Sequence, residues 1–85
     1  MPNHTHESHP QITARLKRAH GHLAKVIAML ESQAPCSDVA QQLFAVEKAV
    51  TNAKRALIHD HIDHCLSAED AGSGIEDFKA ITKYL

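Results

Sequence analysis

Within the run His59-Asp60-His61-Ile62-Asp63-His64-Cys65 the chain places three imidazoles and a thiol in seven residues, and a second cysteine, Cys36, stands far upstream. Thiolates and neutral imidazoles are the side chains that hold transition-metal ions. His61 and Cys65 are four residues apart, so on a helix they share one face, as two ligands of one ion must. The same pair admits a structural reading, in which a His and a Cys continue an apolar helix stripe as core residues. That reading leaves unexplained why a stripe of Val, Leu and Ala turns to His and Cys only at its end. It also leaves unexplained a lone cysteine at a helix start, where the positive dipole end favours a thiolate. His59 and His64 point to other faces of such a helix and read as solvated surface.

The elements that must position these residues are legible from apolar spacing. After a polar, histidine-rich tail over residues 1–9, Pro10 suits the first turn of a helix. Ile12, Leu16, Ala19, Leu23, Val26 and Leu30 then follow at alternating steps of 4 and 3, a heptad stripe that predicts a helix over about residues 10–32. Gly21 interrupts it at a cost of ~1 kcal/mol relative to Ala, which points to a close helix contact. Ser37 or Asp38 can cap a second helix. Val39, Leu43, Val46, Val50, Ala53 and Leu57 carry the same steps, without Pro or Gly, to about Leu66. A turn at Ala71-Gly72-Ser73 and a capping box from Ser73 to Glu76 introduce a short third helix, with Ile75, Phe78, Ile81 and Leu85 on one face. The expectation is all-α, with a long central helix.

One chain cannot close a metal site from these residues. Cys36 is 25 residues from His61, which on one helix at ~1.5 Å rise separates them by ~37 Å. If two copies of helix 2 pack antiparallel along their heptad faces, Cys36 of one subunit arrives beside His61 and Cys65 of the other, and twofold symmetry makes two equivalent sites. The metal reading and the oligomer reading require each other.

Bulk composition agrees. A chain of 85 residues makes one domain at most and buries too small a share of its surface to be comfortable alone. With 4% aromatic residues and no Trp the apolar set is aliphatic, and oligomerisation is the expected support. Two cysteines do not make a disulfide scaffold, no leader opens the chain, and no apolar run approaches membrane-spanning length, so the expected location is cytoplasmic. A Cys36–His61 nucleophile and base pair is conceivable, but without a phosphate loop or evident substrate pocket the chain does not read as an enzyme. The net charge of −1 hides an uneven distribution. No acidic residue falls between Ser8 and Leu30, where Arg15, Lys17, Arg18 and Lys25 stand; six acidic residues and no Lys or Arg lie from Asp60 to Asp77. Arg15, Arg18 and Lys25 recur along helix 1 and Lys48 with Arg55 along helix 2. Each set forms one stripe able to meet phosphates, or simply a solvated face. No helix-turn-helix recognition element is present, so DNA reading would lean on shape as well as on base edges.

The segments "RLKRAHGHL" (Arg15 to Leu23), "MLESQAPCSDVAQQLFAV" (Met29 to Val46) and "LIHDHIDHC" (Leu57 to Cys65) together resemble the copper-sensitive operon repressor and nickel/cobalt repressor family, CsoR/RcnR, which also contains formaldehyde and persulfide sensors. The resemblance runs from Gln11 onward. It implies a disc-shaped homotetramer, a dimer of antiparallel helical dimers, that binds operator double-stranded DNA and releases it when its effector binds. It implies a tail over 1–9 and a single metal-sensing and DNA-binding domain over 10–85. Carried over by position, Cys36, His61 and Cys65 are the ligands used across the dimer interface, and His4 stands where nickel and cobalt members add an N-terminal ligand. Arg15 and Arg55 match basic positions used on DNA, and Arg18 and Lys25 extend their stripe. Position 52, basic in some copper members, is Asn52; the glutamate behind the copper site is replaced by Asp77; and the matching tyrosine is replaced by Pro35.

Two thiolates and one imidazole suit Cu(I), and adding His4 gives a nitrogen and sulfur set suited to square-planar Ni(II). His4 and the altered copper surroundings favour Ni(II) or Co(II), with Cu(I) as the alternative ion. His6 and His9 are able to substitute in the tail or merely scavenge metal. A persulfide or redox sensor using Cys36 and Cys65, a formaldehyde sensor using Cys36, and a protein that only holds zinc are the competing classes.

Overall fold

The computed structural model describes residues 8–65 and 71–85. Three helices account for most of them: α1 (His9–Glu31), α2 (Cys36–Cys65) and α3 (Ala71–Thr82), with no strand among the described residues. The all-α expectation holds. No helix among the described residues is long and apolar enough to cross a membrane.

The joint between α1 and α2 sets the geometry of everything that follows. The Ala34 N–H donates to the Met29 carbonyl at 2.9 Å and the Gln33 N–H to the Leu30 carbonyl at 3.1 Å, the paired bonds of a Schellman ending. Gln33 takes the left-handed conformation this ending requires, with φ of 62°. Met29 and Ala34 tuck against the core, closing the motif with an apolar contact. A connection over residues 32–35 is short enough to force α2 back along α1 as an antiparallel hairpin.

Two expected boundaries shift. The Asp38 and Val39 N–H groups donate to the Pro35 carbonyl at 3.0 and 3.1 Å, so α2 starts at Cys36, and Ser37 and Asp38 lie within the first turn rather than capping it. Proline loses nothing there, because the N–H it lacks would have had no helical partner. Asp38 still favours the turn through the helix dipole. At the other boundary, α3 begins at Ala71, so the turn over residues 71–73 is absent and Ser73 sits inside the helix. The expected end of α2 at Leu66 lies outside the described residues.

Packing splits each heptad stripe in half. Ile12, Ala19 and Val26 of α1 are buried, as are Val39, Val46 and Ala53 of α2, each set spaced by seven. Val26, Val39 and Val46 form the centre of the hairpin core, and Ile58 is buried further along α2, on the helix against which α3 also packs. The alternate positions stay exposed: Leu16, Leu23 and Leu30 on α1, and Leu43, Val50 and Leu57 on α2. The protomer measures 54 × 22 × 14 Å, a slab too thin to bury both halves.

Gly21 does not mark a close contact inside the chain. A Cβ added there meets nothing within 4 Å, because the residue faces outward. Gly21→Ala is therefore expected to stabilise the fold by ~1 kcal/mol through helix propensity, raising the melting temperature by roughly 4–8 °C in a thermal scan. A lowered melting temperature would mean that a second chain packs against this position.

Candidate metal centre and nucleic-acid interface

Cys36 is the first residue of α2 and is exposed. His61 is half-buried near the opposite end, and Cys65 closes the helix one turn later. The 30-residue length of α2, at ~1.5 Å per residue, keeps Cys36 some 37 Å from His61 within a chain. Among the described residues, no three His, Cys, Asp or Glu side chains of one chain are placed to hold an ion.

The open half of the α2 stripe relates these ends. At 100° per residue, Cys36, Leu43, Val50, Leu57 and His61 fall within one narrow sector of the helix. Leu43, Val50 and Leu57 are 42%, 45% and 38% exposed, so this sector is not covered by α1. The seam is symmetric in sequence about Val50. An antiparallel copy that sets Val50 on Val50 also sets Leu43 on Leu57, and carries Cys36 to the turn between His61 and Cys65. Thiolate and imidazole donors delivered there fit a soft or borderline transition ion.

The start of α1 reaches the same end of the molecule. His9 Nε2 lies 4.0 Å from Asp60 Oδ2, so the chain enters α1 beside the turn that carries His61. His4 lies outside the described residues. It precedes His9 by five positions, and an extended span of that length covers up to ~16 Å. Asp77 is exposed on α3.

Four basic residues, Arg15, Arg18, Lys48 and Arg55, line two grooves of the hairpin that share Asn52. Arg15, Arg18, Ala19 and His22 of α1 with Ala49 and Asn52 of α2 line a cleft of about 360 Å³. Asn52 also lines an adjoining groove of about 250 Å³ on α2, with Phe44, Glu47, Lys48, Thr51 and Arg55. Lys48 lies over the Phe44 ring at 5.3 Å, a cation–π contact that holds the ammonium along the groove wall. Arg15, Arg18 and Arg55 are thus neighbours across a shared residue, whereas Lys25 is exposed on α1 outside both clefts. His22 and Gln42, joined at 2.7 Å across the hairpin, were not singled out by spacing. The signal was available in that His22 follows Arg15 by seven residues, two helical turns along one face.

Comparison with known proteins points one way. Residues 8–85 match the family described as metal-sensitive transcriptional repressor. The copper-sensing transcriptional repressor CsoR of Mycobacterium ulcerans is 50% identical over 54 residues, 64% of this chain and 46% of that protein. The chain spans a little under half the length of the mycobacterial relatives it matches. The copper-sensing repressor CsoR of Bacillus subtilis is 36% identical over 81 residues, 86% of this chain and 80% of its own. The solved structure of the nickel-responsive transcriptional regulator InrS superposes with a TM-score of 0.73 at 32% identity, covering 96% of this chain and 92% of the other.

Proposed function

The chain belongs to the family of metal-sensitive transcriptional repressors, and from that premise we propose that it represses transcription by binding operator DNA metal-free and releases it on binding Ni(II) or Co(II) at a site shared between subunits. The observation that supports this reading is the exposed α2 seam of Leu43, Val50 and Leu57, along which an antiparallel copy would bring Cys36 of one subunit to His61 and Cys65 of the other. Cys36, His61 and Cys65 are the proposed ligands, with His4 completing the set from the tail. Arg15, Arg18, Lys25 and Arg55 are the proposed phosphate contacts.

Coupling follows from the hairpin. Arg15 and Arg18 sit on α1, and α1 is locked to α2 by Val26, Val39 and Val46. When ligands on two α2 helices share an ion, the register of those helices is fixed and the arginines move with them as part of the same body. An ion that binds the DNA-free arrangement more tightly must, by reciprocity, weaken DNA binding by the same factor, commonly 5–150-fold.

Nickel or cobalt is favoured by His4, by Pro35 and Asp77 in place of the residues copper sensors use, and by likeness to a nickel-responsive regulator. Cu(I) is the second reading, supported by the Cys36, His61 and Cys65 set and by the copper-sensing relatives. The deciding experiment is fluorescence anisotropy of the reduced, metal-free protein on a duplex from upstream of its own gene, titrated separately with the two ions. Release by Ni(II) that disappears in His4→Ala supports the nickel reading. Release by Cu(I) alone, indifferent to His4, replaces it with the copper reading.

A further inference from the structure

The cleft between α1 and α2 holds one group that neither the metal site nor the arginine stripes use. His22 is half-buried, its Nε2 2.7 Å from Gln42 Oε1. With the amide oxygen accepting, Nε2 carries a hydrogen in either charge state, and Nδ1 is the nitrogen that gains or loses a proton. Arg15 and Arg18 share the cleft with it, since residues three, four and seven apart stack on one helix face. The floor is Ala19 and Ala49, whose small side chains leave a space of about 360 Å³. From α2 the polar groups facing His22 are the amides of Gln42 and Asn52, and among the described residues no carboxylate lines the cleft. A concave space walled by two guanidinium groups, an imidazole and an amide, without an acid, fits a phosphate.

We propose that this cleft seats a backbone phosphate of the operator duplex, with His22 as a third cationic contact that takes up a proton when DNA binds. The proposal rests on the repressor reading and adds a site and a proton linkage to it. Neutral His22 contributes a hydrogen bond to Gln42 and no charge; protonated His22 contributes a charge facing the phosphate. Histidine ordinarily changes charge between pH 5 and 8. The sign follows: DNA favours the protonated form, so affinity rises as pH falls through that range and the gain is lost as pH rises. Each additional neutralised phosphate also steepens the dependence of binding on salt by about 0.9 in the log–log slope.

The test compares wild type with His22→Gln, which keeps an amide able to bond Gln42 and cannot titrate. Anisotropy is measured on the upstream duplex at about pH 6 and pH 8, with chelator and reductant, across a salt series. Wild type is expected to bind about five- to tenfold more tightly at the lower pH than His22→Gln does, with the two within about twofold at the higher pH. The wild-type salt slope should exceed that of His22→Gln by roughly one unit only at the lower pH. An identical pH response in the two proteins, or equal weakening by the substitution at both pH values, overturns the proposal while leaving the repressor reading intact. Absence of duplex binding by wild type at either pH overturns both.

Discussion

Replacing Cys36 with alanine is expected to leave a folded protein that still binds the upstream duplex but no longer releases it when metal is added. Cys36 is exposed at the first position of α2, and the nearest core residue along the helix is Val39, one turn on. Alanine is a good helix former and no packing is lost, so stability should change by no more than about 0.5 kcal/mol. The proposed site, in contrast, loses a thiolate. Removing even an outer partner of a metal ligand commonly lowers affinity 10–100-fold, and removing a direct ligand should cost at least ~100-fold. The coupling to DNA, a factor of about 5–150, goes with it. Two titrations check this: chelator competition for metal affinity, and anisotropy for release. Retained release by Cys36→Ala at the wild-type metal concentration would sink the shared-site proposal. His61→Ala separates the chemical classes, since a persulfide or redox sensor built on Cys36 and Cys65 keeps its switch without the imidazole whereas a metal sensor loses it.

The three helices and their long central member were legible because apolar steps of 4 and 3 persist through Ile12 to Leu30 and Val39 to Leu57. The same pattern could not say which apolar positions the hairpin itself covers. Ile12, Ala19 and Val26 are buried inside the hairpin while Leu16, Leu23 and Leu30 are not, yet both sets are equally hydrophobic. Hydropathy reports that a residue wants cover, not whose. The caps were misread for a related reason. Ser37 and Asp38 are good N-cap residues, but the Schellman ending at Gln33 and Ala34 leaves the Pro35 carbonyl positioned to start α2 one residue before them. His22 and Gln42 are 20 residues apart, so their contact exists only once the hairpin closes. Arg15 with Arg18 and Lys48 with Arg55 were readable as pairs along each helix; that Asn52 lies between them was not, because it depends on how the helices cross.

Val50→Glu should have the larger structural effect and should abolish metal binding without touching a ligand. In the proposed antiparallel pairing, which would bring Cys36 to His61 and Cys65, Val50 would lie on the symmetry axis and meet its own copy. Val50 is 45% exposed within its own chain, so covering the remainder is worth about 0.7–1.4 kcal/mol per valine, twice in each dimer. Losing that contribution raises the dimer dissociation constant by roughly 10–10². Two carboxylates forced together at the axis raise it further, since like charges disfavour one another and neither finds a partner there. Leu43 and Leu57 then lose cover as well, and a three-helix chain of 85 residues is left with little buried surface to hold it together. The expected result in sedimentation equilibrium is a monomer with reduced helicity, and in chelator competition a loss of tight metal binding although Cys36, His61 and Cys65 are intact. Gln41→Glu is the matched control, since it adds the same charge at an exposed polar position of α2 and should preserve both assembly and metal binding. A Val50→Glu protein that keeps the wild-type mass and binds metal normally would show that α2 does not pair about Val50. In that case Cys36 would need partners other than His61 and Cys65.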